Sequence, residues 1–191
     1  MTDARSVAAS PASHRRVQRV PEAWPVLHLE AGVPAWAGLR VEGLVRTSRH
    51  FDLPALQRLG SAEHHLAVHC VWGWSRPDVR WNGISLGQVL ETAGVDERAT
   101  YVVVESASDT YSSCLPLRDA AEGVLAWGRD AEPLAPEAGG PLRYVGPSSF
   151  WGYKGVKWAA RVGVTDRFVP GFWESKVADP IGRIPTEVEL P

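Results

Sequence analysis

His69-Cys70-Val71-Trp72-Gly73-Trp74-Ser75, running on through Arg76-Pro77-Asp78-Val79-Arg80 to Trp81-Asn82-Gly83, is the stretch on which the reading of this chain turns. It closes an apolar run, residues 65–71, that reads as a strand, and it delivers one thiol into a loop of aromatics, glycine and turn residues. Loops held by a rigid scaffold carry chemistry more often than other segments. Three jobs are open to such a cysteine: metal ligand, nucleophile or buried packing residue.

The segments around it read as short strands and shorter helices. Residues 39–45 alternate apolar with polar or small and predict a strand. Asp52 caps a helix over 53–59 that Gly60 stops. Ser85 caps a second helix, with Leu86, Val89 and Leu90 on one face and Gly94 at its end. The β-branched run 101–105 predicts a buried strand, and strands follow over 124–127, 142–145 and 156–164. Residues 1–18 lack periodicity and read as a disordered leader, 19–175 as one domain, and 176–191 as an irregular tail. The sum is a strand-rich α+β fold with mixed sheets and a few short helices.

A chain of 191 residues suits one domain with a sizeable core, and 45% hydrophobic with 22% charged residues is ordinary for a globular protein. A net charge of −2 argues against nucleic acid or an anionic membrane as the partner. Two cysteines, Cys70 and Cys114, make no disulfide framework, although one bridge between them stays open. A reducing, cytoplasmic setting is the simpler expectation. Nine tryptophans either fill a core or wall a pocket for a flat ligand.

These pieces resemble the sulfite oxidase-like molybdopterin oxidoreductases, in particular short bacterial members without a haem domain. The resemblance spans about residues 20–175. It is carried in order by residues 69–75, Trp81-Asn82-Gly83-Ile84-Ser85-Leu86, residues 111–117, Gly140-Pro141-Leu142-Arg143 and Gly152-Tyr153-Lys154-Gly155-Val156-Lys157-Trp158. Pro25-Val26-Leu27-His28 and Pro170-Gly171-Phe172-Trp173-Glu174 match flanking pieces.

The resemblance implies a molybdenum–molybdopterin cofactor and a two-electron oxygen-atom transfer on a small substrate. That substrate is of sulfite or sulfoxide type, or a small organic molecule. Cys70 falls where the family places its molybdenum ligand, and a soft thiolate suits a metal already held by sulfur. Tyr111 falls on the substrate side of the metal. Arg143, Lys154 and the segment Gly155, Val156 and Lys157 match the phosphate-holding region, where backbone N–H groups form an anion nest and cations add charge. His28 and Ser106 match further cofactor contacts. With no Cys-x-x-Cys-His haem signature, electrons pass through a separate partner: a cytochrome, a flavoprotein or a quinone-linked subunit.

The chain also departs from the pattern. Ala138 stands where relatives often carry Asn or His, polar contacts near Pro25 are missing, and Trp72 is bulkier than usual, which predicts a narrower mouth. A protein that keeps the fold and binds an apolar ligand without cofactor is therefore the alternative. A zinc site from His64, His65, His69 and Cys70 is a weaker one. His65 and His69 would share a strand face about 13 Å apart, too far for one ion. A cysteine hydrolase has no positive signal.

Overall fold

The computed structural model describes residues 32–177 and 179–185. The leader, Pro25 and His28 lie outside the described residues.

Two five-stranded sheets form the body. The first has the order β2-β1-β10-β5-β6, with β1 Leu39–Gly43, β2 Arg49–Phe51, β5 Tyr101–Ser106, β6 Ser112–Pro116 and β10 Ala159–Thr165. The β1–β10 pair is parallel and the other pairs are antiparallel, so the sheet is mixed. The second sheet runs β3 Ala62–Cys70, β4 Trp74–Ser85, β7 Val124–Arg129 and β8 Glu132–Pro133, with β9 Arg143–Val145 also on β7.

Among the described residues, three short α-helices accompany the sheets: α1 Leu53–Leu59, α2 Leu86–Ala93 and α3 Leu117–Glu122. Asp52 accepts the Ala55 N–H at 2.7 Å, and Ser85 accepts that of Gln88, so both expected N-caps form. Gly94 ends α2 in the left-handed region at φ 68, as expected, whereas Gly60 ends α1 extended.

The two sheets use their residues differently. Leu39, Val41, Val102, Val104, Leu115, Val162 and Val164 line the inner face of the first sheet and pack on α2 in one large core. The second sheet is apolar on both sides. In β7, Leu125 enters the large core, while Val124 and Ala126 enter a second cluster with Val68, Trp74, Val79, Trp81 and Val145. Trp81 and Trp158 are fully buried, and Trp74 and Trp151 nearly so, so four of the eight described tryptophans sit in the core, Trp151 at its edge beside a small cleft.

Four expectations change. The loop expected after Trp74 is instead strand β4, paired with both β3 and β7; Pro77 fits because it lies at the register shift between Leu66 and Val68. That bulge also turns β3: His65 is exposed against Asp78, at 2.8 Å, whereas His69 is buried against Ser75. The two rings do not share a face, and among the described residues no group of three or more His, Cys, Asp and Glu is placed to hold a metal.

The strand expected over 156–164 begins only at Ala159. Val156 makes one bridge to Tyr144, after which Trp158, at φ 50, turns the chain from the second sheet to the first. Its indole donates to the Pro136 carbonyl at 2.8 Å, which fixes that unusual backbone. Finally, residues 179–185 are irregular as expected, yet they pack on the domain. Ile184 is buried and donates its N–H to Ser149 O, and Arg183 pairs with Asp119 at 2.6 Å.

Two glycines separate packing from conformational freedom. A Cβ on Gly83 would lie 2.4 Å from the Leu125 carbonyl of the paired strand, whereas one on Gly163 meets only the Arg161 side chain at 3.5 Å. Gly83→Ala is expected to cost about 1–3 kcal/mol in a urea titration, and Gly163→Ala to stay within about 0.5 kcal/mol of the parent.

Candidate functional site

Cys70 is the last residue of β3, and Val71-Trp72-Gly73 makes the hairpin tip before β4. The Gly73 N–H closes that tip on the Cys70 carbonyl at 3.0 Å. The Cys70 side chain is half-buried at the border of the second apolar cluster. Burial pushes its thiol up to about 11, against a smaller downward pull from the Trp72 backbone N–H. Trp72 itself is 43% exposed, so it stands in solvent and does not narrow a mouth. Cys114 lies buried in β6, and neither cysteine is in a disulfide.

A small cleft of about 10 Å³, room for about one water, begins two residues before Cys70. Ala67 and Val68 of β3, Arg143 and Val145 of β9, and the glycines Gly146, Gly152 and Gly155 form most of its wall. Glycines at these points let a ligand approach the backbone.

Arg143 is the cation of this cleft. One guanidinium nitrogen donates to Ala138 O at 2.9 Å, while its Nε is buried with no hydrogen-bond partner. The guanidinium lies 5.8 Å from the Trp81 ring centroid. Burial and the neighbouring Arg129 bring it down to about 10, so it remains charged at neutral pH. Arg129 in turn feels Arg76, which makes a row of guanidiniums across the second sheet. Neither Arg129 nor this row was legible without the strand register.

Tyr111 stands close enough to Arg143 to act on its charge. Its hydroxyl donates to the Tyr153 carbonyl, and its ring is 6.1 Å from that of Phe172. The phenol proton is thus engaged by the protein rather than aimed at the cleft. Ser106 is buried beside it: its N–H binds Tyr111 O at 2.9 Å, and its Oγ accepts from Ser108, which shapes the 106–111 turn. It does not line the cleft.

The segment expected to hold phosphate divides into two parts. Lys157 keeps an accessible place: its ammonium reaches Glu137 O at 3.0 Å and lies 5.6 Å from the Trp158 ring centroid. Lys154 does not. It is fully buried, and its ammonium donates to Cys114 O, Glu174 Oε1 and Pro180 O, each at 2.8 Å. An ammonium has three protons, so this one has none left for a phosphate. Nor do Gly155 and Val156 form an anion nest, because their N–H groups bind Gly152 O and Tyr144 O. Gly155 is needed by packing, since a Cβ there would lie 3.1 Å from Tyr144 O.

Glu174 had no role in the sequence reading, although the motif around it was visible. Its Oε1 accepts from Ser113, the Cys114 N–H and Lys154, and its Oε2 is buried without a partner.

A molybdopterin fits this site in part. The thiol is half-buried and of the right softness, and the unsatisfied Arg143 Nε is a ready anion donor. Ala138 offers a buried methyl and a carbonyl already bonded to Arg143, so it adds no further polar contact.

Comparison with known proteins agrees with the geometry. Residues 28–173 match the oxidoreductase molybdopterin binding domain. The uncharacterized oxidoreductase YuiH of Bacillus subtilis (strain 168) is 37% identical over 164 residues, covering 82% of this chain and 81% of that protein. The protein-methionine-sulfoxide reductase catalytic subunit MsrP of Gluconobacter oxydans (strain 621H) is 31% identical over 163 residues, covering 75% of this chain and 52% of that protein.

In fold, the chain is similar to the sulfane dehydrogenase SoxCD from Paracoccus pantotrophus, with a TM-score of 0.61 and 24% identity over 73% of this chain and 40% of that one. The chain therefore spans about half the length of the reductase subunit and less of the dehydrogenase chain. It belongs to the oxidoreductase molybdopterin-binding family, of the sulfite oxidase-like kind, and is a molybdopterin-dependent oxidoreductase whose cofactor is molybdenum–molybdopterin.

Proposed function

We propose that this protein moves an oxygen atom and two electrons to or from a small substrate of sulfite, sulfoxide or small organic type. Its redox equivalents pass to a separate electron-transfer partner, and it works in the cytoplasm. The observation that carries the reading is the buried Arg143 guanidinium. It keeps an unsatisfied Nε in a cleft whose wall leads along β3 to a half-buried thiol. A charge is kept desolvated and incompletely bonded at a cost, and a ligand anion offsets that cost.

The roles follow from where each group stands. Cys70 would hold the metal as thiolate; burial favours the thiol in the free protein, so metal binding would be linked to loss of that proton. Arg143 and Lys157 bind the anionic tail, and Gly155 and Val156 offer close backbone rather than N–H donors. Tyr111, beside Arg143, is assigned the substrate side, with its phenol proton resting on the Tyr153 carbonyl until its O–H rotates. When bound, the cofactor supplies the oxygen-atom and electron chemistry, while the protein orients it and keeps side reactions out.

Two measurements test these roles. In protein made without cofactor, alkylation of Cys70 is expected to be slow at pH 8 and to accelerate toward pH 11, because the reactive thiolate appears only near its raised pKa of about 11. A rate that levels off by pH 9 contradicts the burial argument. Protein made in a host competent for the cofactor is expected to carry molybdenum and pterin. Cys70→Ser should lower molybdenum about tenfold or more with the thermal midpoint kept, and Arg143→Ala should lower pterin retention similarly. A parent protein without molybdenum would instead favour the cofactor-free binding protein.

A further inference from the structure

Lys154 sits at the end of the one-turn 3-10 helix Gly152–Lys154, and the carbonyl one residue before it receives the Tyr111 hydroxyl. That carbonyl and the Lys154 N–H belong to one planar peptide unit, so fixing either fixes the other. The Lys154 N–H points to Trp151 O at 2.9 Å, which turns the Tyr153 carbonyl the opposite way, toward Tyr111.

Such a turn does not hold itself. It has glycine at its start and Gly155 just after it, and 3-10 turns of this length have poor hydrogen-bond geometry. Beside its backbone bonds and the Trp151 bridge to His69, the Lys154 ammonium ties the turn to β6 through Cys114 O, to the 171–177 segment through Glu174, and to the C-terminal segment through Pro180 O.

We propose that the Lys154–Glu174 ion pair positions the Tyr111 phenol. The pair keeps the phenol proton on the Tyr153 carbonyl, with the phenol near enough to Arg143 to act on its charge. Tyr111 therefore donates to a ligand only after its O–H rotates off Tyr153. Lys154 and Glu174 are positioning residues that touch neither substrate nor cofactor. The kinetic side of this inference rests on the substrate-facing role of Tyr111 proposed above; the orientation itself does not.

The test uses the full chain labelled with 3-fluorotyrosine, its fluorine resonances assigned by single Tyr→Phe variants. Glu174→Gln keeps an oxygen for Ser113 and Cys114 but removes the countercharge. It is expected to shift the Tyr111 line and leave that of Tyr144, whose hydroxyl is held by Ala120 O. Should that variant not fold, Lys154→Met combined with Glu174→Leu removes both charges, and the same shift is expected because the three tethers are gone. A lowered thermal midpoint with the Tyr111 line unmoved overturns the proposal and leaves the pair purely structural.

In loaded enzyme, Glu174→Gln is expected to lower kcat about tenfold with little change in KM, and to have no further effect on kcat in the Tyr111→Phe background. Additive losses would overturn the coupling. A Tyr111 shift together with a kinetically silent Tyr111→Phe upholds the positioning and overturns only the substrate-facing role.

Discussion

The buried pair of Lys154 and Glu174, 2.8 Å apart and essentially without solvent, is the interaction on which the rest of the site depends. Taking two charges out of water costs several kcal/mol per ion, and the bonds they make offset that cost only in part, because Glu174 Oε2 stays buried without a partner. Here the ammonium is saturated by three acceptors from three separate segments, and Glu174 Oε1 is saturated by three donors. A pair of this kind is a poor source of net stability; what it adds is a tie between three segments through one lysine. It joins β6, the cleft wall and the C-terminal segment into one unit.

The second constraint is the double-sided burial of the β3-β4-β7 sheet. Leu125 and Tyr144 commit one face to the large core, and Trp81, Val68 and Val145 commit the other to the cluster beside the cleft. A sheet pinned on both faces has no freedom to slip register, since a one-residue slip would exchange the two faces. That rigidity places Cys70 at the strand exit and sets Arg143 over the Trp81 ring. The half-exposed elements of the site, the hairpin tip with Trp72 and the turn at 106–111, hang from this frame.

Much of this was legible in the sequence where one short-range cause decides the structure. Asp52 and Ser85 cap helices because a side-chain oxygen three residues before an amide is a local matter. Strand β4 was hidden because Pro77, Gly83 and four turn-forming neighbours look like a loop until two partner strands absorb them. The roles of Lys154 and Lys157 were not separable by eye: they stand three residues apart on either side of glycine, and only tertiary packing decides which is buried. Arg129 and Glu174 act through residues far away in sequence, so no local pattern marked them.

The central claim is that Cys70 binds molybdenum in a cleft whose other anchor is Arg143. X-ray absorption at the molybdenum edge tests it most directly, by comparing the sulfur shell of the parent with that of Cys70→Ser. The parent is expected to show the pterin sulfurs plus one more, and the variant to lose that one from whatever molybdenum it retains. An identical sulfur shell in both would contradict the assignment.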